Sequence, residues 1–214
     1  MVPSFLDSPG DGDKQMTHRI FSTILFGVAA VTAQAQIPEA TNQSANLRYT
    51  APQMITLIQS CAPQAAPSTM LAVARTESAL HPYAISINRP RLVSRAAGLS
   101  NLEIQLARQP RSKQEALQWL HWLLGHGITV SVGLLQVNTE NAALFHLRPE
   151  QLFEPCTNIA VGSTVLAQDY ATEIRRAPND PDALLRALSL YNSGAQYLGF
   201  DNGYVATVLK NARP

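Results

Sequence analysis

A short apolar run near the N-terminus constrains this chain most, because it decides the compartment in which the chain folds. Residues 20–31 are mostly apolar, follow His18 and Arg19, and precede an Ala-Gln-Ala segment at residues 33–35. Basic residues, an apolar stretch and a small-x-small site form the pattern of a cleaved export signal. The 12 residues of the run are too few for a membrane-spanning helix, which needs roughly 20; the alternative is an uncleaved interfacial anchor. We predict a signal region over residues 1–35 and no stable membrane span.

The beginning of this signal region is unusual. Residues 1–15 are long and acidic for such a segment, with Asp7, Asp11 and Asp13. Met16 lies just before the basic residues and is a more usual start, so we expect translation to begin there.

The sequence contains two cysteines, Cys61 and Cys156. An even number of cysteines in an exported chain indicates a disulfide framework, so we predict one bridge between them. The alternative is a catalytic cysteine, which would require a histidine and a third orienting group. No recognisable signature of that kind surrounds either cysteine.

Composition and length indicate one globular domain. The chain has 214 residues, which is long enough to bury a sizeable core. Of these, 46% are hydrophobic and 14% are charged, a composition typical of a globular protein. Residues 36–49 are polar and Ala-rich, which predicts a flexible lead-in, and the domain is placed at residues 50–214. The net charge is +1 and no Lys/Arg cluster interleaves with aromatic residues, which argues against nucleic-acid binding. The histidines lack metal-ligand spacing, so we predict neither a metal nor another cofactor.

Apolar periodicity predicts a mainly α fold with a small β element. Helices are predicted over residues 52–60, 67–79, 112–124, 156–174, 182–191 and 202–212. Short strands are predicted over residues 102–107 and 128–132. Trp119 and Trp122 fall within an apolar helix, which favours core positions, although tryptophan can also stack on sugars.

Glu77 is the first candidate for chemistry. It ends an apolar helix and is followed by Ser78 and a turn that contains Pro82. Burial disfavours the charged form of a carboxyl group and raises its pKa. A carboxyl group that stays protonated near neutral pH can donate a proton to a glycosidic oxygen. The alternative is an exposed glutamate at a helix end.

Two further segments carry amide and hydroxyl side chains. Gly133 is followed by Leu-Leu-Gln-Val-Asn, which brings Gln136 and Asn138 close together. Amides both donate and accept hydrogen bonds, so they suit sugar hydroxyls and N-acetyl groups, but a turn or a helix start explains them equally well. Tyr191 and Asn192 end an apolar helix, where asparagine is an ordinary C-terminal signal and tyrosine an ordinary core residue.

Taken in chain order, these segments resemble the lysozyme-like lytic transglycosylases, the family of the soluble lytic transglycosylase domain. That family has an E-S pair at a helix end, then G-L-M-Q, then Y-N-x-G. This chain has Glu77-Ser78, Gly-Leu-Leu-Gln at residues 133–136 and Tyr-Asn-Ser-Gly at residues 191–194; Leu replaces Met with little change in volume. The long stretch between the first two motifs, and F-E-P-C-T-N-I at residues 153–159, resemble the specialised branch that accompanies type IV secretion and conjugation systems.

The resemblance covers roughly residues 50–200. It implies a lysozyme-like fold, a periplasmic location and cleavage of the β-1,4 bond between N-acetylmuramic acid and N-acetylglucosamine, with a 1,6-anhydro product. It implies that Glu77 acts as both acid and base. The substrate-binding residues that it implies are Ser78, Gln136, Asn138, Tyr191 and Asn192. The expected partners are peptidoglycan glycan strands and components of a type IV secretion system.

Two alternatives to this function stay open. A goose-type hydrolytic lysozyme also relies heavily on one glutamate and is the alternative enzyme. A non-enzymatic component that binds glycan during assembly is the alternative of another class, although an intact Glu77 argues against it. Glu140 and Glu154 match no catalytic position and are predicted to face solvent.

Overall fold

Helices dominate the structure, and three short strands form one small sheet. The computed structural model of the protein describes residues 47–88 and 106–213. The predicted signal region, most of the lead-in and most of the strand predicted at residues 102–107 lie outside these ranges. Within them, no helix combines the length and the apolar character needed to cross a membrane.

The described residues contain eight α helices, one 3-10 helix and three strands. Helices α1 to α8 are Ala51–Cys61, Pro67–Ser78, Lys113–Gly125, Thr139–Leu144, Pro155–Arg176, Ala183–Ser193, Leu198–Asp201 and Tyr204–Asn211. The 3-10 helix is Pro149–Phe153, and strands β1 to β3 are Ile85–Ile87, Val130–Val132 and Val137–Asn138. The described residues belong to one compact unit, so the predicted class, mainly α with a small β element in one domain, is confirmed.

The predicted helices correspond to α1, α2, α3, α5, α6 and α8, and their ends differ by at most two residues. Local chemistry explains this agreement. Thr50 caps α1 by accepting a hydrogen bond from the Gln53 backbone N–H, and the Gln53 side chain accepts one from the Thr50 N–H in return. Ser112 caps α3 through the Glu115 N–H in the same way. Helices α4 and α7 and the 3-10 helix are not predicted from the sequence, because they are too short to show an apolar period.

The end of α2 is held by residues from the predicted lead-in. Ala79 and Leu80 have φ angles of 49° and 66°, so the chain turns sharply directly after the helix. Arg48 donates to the carbonyl oxygens of Ser78 and Ala79, and the Tyr49 N–H donates to the Leu80 carbonyl. The last two residues of the predicted lead-in are therefore hydrogen-bonded to the turn that follows α2.

One disulfide joins the end of α1 to the first turn of α5. Cys61 and Cys156 are bonded, with Cα atoms 5.2 Å apart across a sequence separation of 95 residues. The predicted bridge is present, and it uses both cysteines of the chain, so neither is available as a nucleophile. A loop of this length corresponds to about 4–5 kcal/mol in a simple chain-entropy treatment, which is an upper estimate.

The sheet is antiparallel, in the order β1-β2-β3. Ser86 on β1 pairs with Ser131 on β2, and Ser131 pairs with Asn138 on β3. Residues paired across strands point to the same face, so these polar side chains form a row across the sheet. The free edge of β1 is tied by Gln109, whose side-chain amide accepts from the Ile85 N–H at 2.8 Å and donates to the Ile85 carbonyl at 3.0 Å.

Helix α5 packs against α1 and α6, and α2 packs against α8. Among the largest fully buried side chains are Phe153, Met54, Leu120 and Ile159. The predicted core positions of Trp119 and Trp122 are wrong: the two residues are 36% and 46% exposed. The buried stripe of α3 is instead Ala116, Leu120 and Leu123.

Candidate active site

A polar cleft lies where the end of α2 meets the sheet and helices α5 and α6. It encloses about 350 Å³. The described residues that line it are Glu77, Ser86, Asn88, Ser131, Gln136, Val137, Asn138, Asn141, Val165, Tyr191 and Asn192. Amides and hydroxyls dominate this lining, and Glu77 supplies its one carboxyl group. Such a surface suits a ligand rich in hydroxyl and amide groups.

The Glu77 side chain is half-buried in the last turn of α2. Burial raises the pKa of Glu77 from 4.5 to about 7, and a hydrogen bond from Tyr204 partly opposes that rise. No lysine or arginine among the described residues forms an ion pair with Glu77. The carboxyl group is therefore present in both protonation states near neutral pH, which is what an acid that later serves as a base requires.

Tyr204 is the hydrogen-bond partner of Glu77. Its hydroxyl lies 2.5 Å from Glu77 Oε1 and donates to it. The residue is buried at the start of α8, directly after Gly203. Burial, followed by the negative charge of Glu77, raises the pKa of Tyr204 well above its usual value, so the hydroxyl stays a donor. Tyr204 thus fixes the orientation of the carboxyl group.

The tight turn at residues 133–136 is held by a buried asparagine. Asn158, on α5, accepts a hydrogen bond from the Leu135 N–H at 2.7 Å and donates to the carbonyl oxygens of Val132 and Leu152, both at 2.8 Å. Gly133 has a φ angle of 81°, and a Cβ atom there would lie 2.3 Å from Asn158 Nδ2. Only glycine satisfies both the backbone geometry and this close approach.

Gln136 follows the turn with a φ angle of 46°. Its Nε2 donates to the carbonyl oxygens of Ala84 and Gly133, at 3.1 and 2.9 Å. Its Oε1 is buried and has no hydrogen-bond partner among the described residues. Strained backbone and an unpaired buried acceptor both cost free energy, and such costs are typical of ligand-binding positions.

Tyr191 reaches the same turn from α6. Its hydroxyl donates to the Leu135 carbonyl at 2.6 Å. Gly162 on α5 makes room for this contact, because a Cβ atom there would lie 2.7 Å from Leu135 Cδ1 and 3.0 Å from the Tyr191 hydroxyl. Tyr191 therefore lines the cleft with its ring while its hydroxyl braces the backbone beside Gln136.

Asn138 and Asn192 also line the cleft, but part of each amide is already used. Asn138 Oδ1 caps α4 by accepting from the Glu140 N–H at 2.9 Å. Asn192 Oδ1 accepts from Asn202 Nδ2 at 2.9 Å, which links the end of α6 to the end of α7. In each case the amide nitrogen is the group left to donate to a ligand.

Ser78 is the one predicted site residue that does not line the cleft. It is buried, and its hydroxyl lies 2.8 Å from the Leu134 carbonyl and 3.1 Å from the Ala74 carbonyl. Ser78 thus ties the helix that carries Glu77 to the turn that carries Gln136, and its contact with substrate stays a prediction. Glu140 and Glu154 are exposed, as predicted.

Several residues that line the cleft or contact Glu77 were not predicted from the sequence. Tyr204 lies 127 residues from Glu77, and no local pattern connects them. Asn88, Ser131 and Asn141 are single polar residues in short segments. The alternation of polar and apolar residues around Ser86 and Ser131 was the one available signal, because it predicts a strand with a polar face.

Comparison with known proteins gives a consistent result. The family model described as the transglycosylase SLT domain matches residues 54–213. The chain is 34% identical over 164 residues to the type IV secretion system protein virB1 of Brucella abortus, a match that covers 74% of this chain and 63% of that protein. It is 32% identical over 148 residues to the protein virB1 of Agrobacterium fabrum, covering 69% of this chain and 54% of that protein. The matches thus span less than two thirds of the length of these relatives. No solved structure matches the chain significantly.

Proposed function

This chain belongs to the transglycosylase SLT domain family, and from that premise we propose that it is a periplasmic lytic transglycosylase. Its substrate is the peptidoglycan glycan strand, and it cleaves the β-1,4 bond between N-acetylmuramic acid and N-acetylglucosamine. The observation that carries this proposal is a half-buried carboxyl group, Glu77, whose pKa of about 7 suits proton transfer, in a cleft of amides and hydroxyls.

The number of carboxyl groups favours transglycosylation over a two-carboxylate hydrolysis. Ordinary glycosidases place two carboxyl groups on opposite sides of the scissile bond. Among the described residues, Glu77 is the one acid that lines the cleft. Asp169 also has a raised pKa, of about 6, caused by burial and then by the charge of Glu173, but it is not part of the lining. A single acid suffices if the substrate supplies its own nucleophile.

The reaction balances without water. Protonated Glu77 donates its proton to the bridging oxygen as the C1–O4 bond breaks, assisted by the N-acetyl group of the muramoyl sugar. The 6-hydroxyl of the same sugar then bonds to C1, and its proton passes to the Glu77 carboxylate. The enzyme returns to its initial protonation state, and the products are a 1,6-anhydromuramoyl end and a free 4-hydroxyl.

Tyr204 and the other residues that line the cleft hold the acid and the substrate in position. Tyr204 orients the Glu77 carboxyl group. Gln136 presents the unpaired Oε1 to a sugar hydroxyl or N–H, and Tyr191 keeps the turn beneath it in place. Asn138 and Asn192 donate from their amide nitrogens. Holding the reacting groups in one geometry accounts for a large part of the barrier reduction in such sites.

Mass spectrometry of the products tests this proposal. Purified peptidoglycan digested by the protein should yield muropeptides with anhydro ends, each lighter by one water than the hydrolytic product. Reducing ends in place of anhydro ends would identify a goose-type hydrolase. Undigested glycan that nevertheless binds the protein would identify a non-enzymatic binding component.

The proposed setting is a type IV secretion system, in which local opening of the cell wall makes room for the assembly. The support is the similarity to proteins named virB1 in two bacteria and the predicted export signal. Deleting the gene in its host should lower substrate transfer, and the wild-type copy but not the Glu77→Gln copy should restore it. Full restoration by Glu77→Gln would show that the role in secretion does not depend on glycan cleavage.

A further inference from the structure

Asn88 combines a fixed position with an unused hydrogen-bond donor. It lies directly after β1, and its backbone N–H donates to the Thr129 carbonyl at 3.0 Å, which extends the pairing of β1 with β2. Its Oδ1 accepts from the Ser131 hydroxyl at 3.1 Å. Its Nδ2 is buried and has no hydrogen-bond partner among the described residues. The side chains of Asn88 and Ser131 both line the cleft.

The unpaired nitrogen indicates a ligand that accepts hydrogen bonds. Leaving a buried donor unpaired costs about 1–3 kcal/mol, and a partner that accepts from it removes that cost. The Ser131 hydroxyl occupies the oxygen of the amide, so the group left for a ligand is the N–H. A side chain that is fixed at both backbone and amide needs little reordering on binding.

The row of polar side chains across the sheet indicates which sugar of the substrate would contact Asn88 Nδ2. Ser86 precedes Asn88 by two residues and also lines the cleft, and two residues of extended chain advance by about 6.5 Å, comparable to the length of one sugar unit. In the proposed function the N-acetyl group of the muramoyl sugar takes part in bond cleavage. An acetamido carbonyl that is free for a binding contact therefore belongs to the neighbouring sugar.

We propose that Asn88, oriented by Ser131, is a specificity-determining residue that donates a hydrogen bond to the acetamido carbonyl of the N-acetylglucosamine next to the reacting sugar. This inference rests on the proposed function and deepens it. It assigns Ser131 a positioning role, because Ser131 acts on the ligand through Asn88.

The test compares two soluble glycans: intact peptidoglycan strands, and the same strands with the N-acetylglucosamine units de-N-acetylated and the muramoyl acetyl groups kept. The wild type should cleave the intact glycan about tenfold faster at low substrate concentration, which corresponds to one lost hydrogen bond. Asn88→Asp replaces the donor with a carboxylate, which repels a carbonyl and attracts the ammonium group of the deacetylated sugar. The preference should therefore disappear or reverse. Ser131→Ala should reduce the preference and keep its direction.

Asn179→Asp is the matched control, since it introduces the same charge at an exposed residue outside the cleft and should keep the wild-type preference. Equal losses on both glycans with Asn88→Asp, or a wild type that does not discriminate, would overturn the inference. If Asn88→Asp still forms anhydro products and keeps the wild-type preference for intact glycan, the role of Asn88 is refuted and the proposed function stands. If the wild type forms no anhydro product from either glycan, the proposed function is refuted. Calorimetric binding of both glycans to Glu77→Gln, with and without Asn88→Asp, measures the same preference without turnover.

Discussion

Two regions of this protein each bury a glutamate, and the two carboxyl groups behave in opposite ways. Glu173, on α5, is fully buried and accepts hydrogen bonds from Arg176, Arg186 and Gln196, at 2.7, 3.1 and 2.7 Å. Among the described residues, Glu77 has one hydrogen-bond donor, the hydroxyl of a neutral tyrosine. Glu77 is half-buried and Glu173 is fully buried, so burial alone would raise the pKa of both, and the difference lies in the partners.

The hydrogen-bond partners decide whether the pKa of each carboxyl group is raised or lowered. Burial alone would raise the pKa of Glu173, but the hydrogen bonds from Gln196 and the two arginines outweigh it, so the pKa is lowered and the group stays ionised. At Glu77 burial is opposed only by Tyr204, and the pKa rises to about 7. A fully paired carboxylate stabilises a fold, whereas a carboxyl group with too few partners keeps a proton that it can transfer.

The largest expected effect is on turnover. Glu77→Gln keeps the shape of the side chain but removes the transferable proton, and general acid–base catalysis typically contributes about 10²- to 10⁴-fold. We expect glycan cleavage, measured as release of anhydro muropeptides, to fall by at least that factor. The matched control is Glu140→Gln at an exposed acid, which should retain wild-type turnover. A folded Glu77→Gln protein with turnover within a few-fold of wild type would exclude Glu77 as the acid.

The next largest effect is expected on the free energy of unfolding when the paired carboxylate of Glu173 is replaced. Glu173→Gln removes the charge that faces Arg186, whose side chain is 11% exposed. Breaking one side of a buried pair costs about 3–5 kcal/mol, and the remaining contact between Arg186 and Asp180 places the expected loss near the lower end. Urea unfolding at pH 7 measures it, and the protein that remains folded should keep its turnover. A stability within about 0.5 kcal/mol of wild type, the range of ordinary surface changes, would show that this cluster contributes little.

Removing the charge of Glu77 is expected to change the free energy of unfolding in the opposite direction, so that the variant is more stable. The folded pKa is raised, so below pH 4.5 both states are protonated, and between pH 4.5 and 7 the unfolded state ionises first, which destabilises the fold as pH rises. Glu77→Gln removes this cost. The variant should be more stable than wild type at pH 8 by up to about 3 kcal/mol, less what partial exposure of the carboxyl group screens. At pH 4 the two should be equal, and a variant less stable at pH 8 would contradict the account.

A smaller effect is expected from Tyr204, the hydrogen-bond partner of Glu77. Tyr204→Phe removes a hydrogen bond that lowers the pKa of Glu77, so the limb of the pH–rate profile that reports this group should move upward by about one unit, equivalent to about 1.4 kcal/mol. Tyr191→Phe is the comparison variant, because its hydroxyl contacts a backbone carbonyl instead. It should lower turnover with little movement of that limb. Equal limb shifts in both variants would remove the special role of Tyr204.

The sequence predicted those parts of the site that depend on local order. Glu77 at a helix end, the tight turn before Gln136 and the Tyr191-Asn192 pair each lie in one short segment, so their pattern is visible along the chain. The contacts of Tyr204 with Glu77 and of Asn88 with Ser131 join residues 127 and 43 positions apart. Such contacts arise only when helices and strands pack, so no local pattern predicts them.

The same reason explains the errors in the fold. Helix α3 is apolar on more than one side, so periodicity gave no polar face from which to locate the buried stripe. The buried stripe is formed by Ala116, Leu120 and Leu123, and Trp119 and Trp122 lie outside it. The family resemblance predicts that Ser78 binds substrate, but adjacent residues of a helix point in different directions, and the Ser78 hydroxyl faces the turn at residues 133–136 while Glu77 lines the cleft.

A direct titration of the Glu77 carboxyl group tests the central claim, that burial without a cationic partner among the described residues makes Glu77 an acid near neutral pH. Carbon-13 NMR of glutamate-labelled protein, with Glu77→Gln to assign the signal, gives its pKa without reference to substrate. The account predicts a midpoint at about pH 7 for Glu77, and no titration of Glu173 in the same range. A Glu77 midpoint near 4.5, the ordinary value for glutamate, would contradict it.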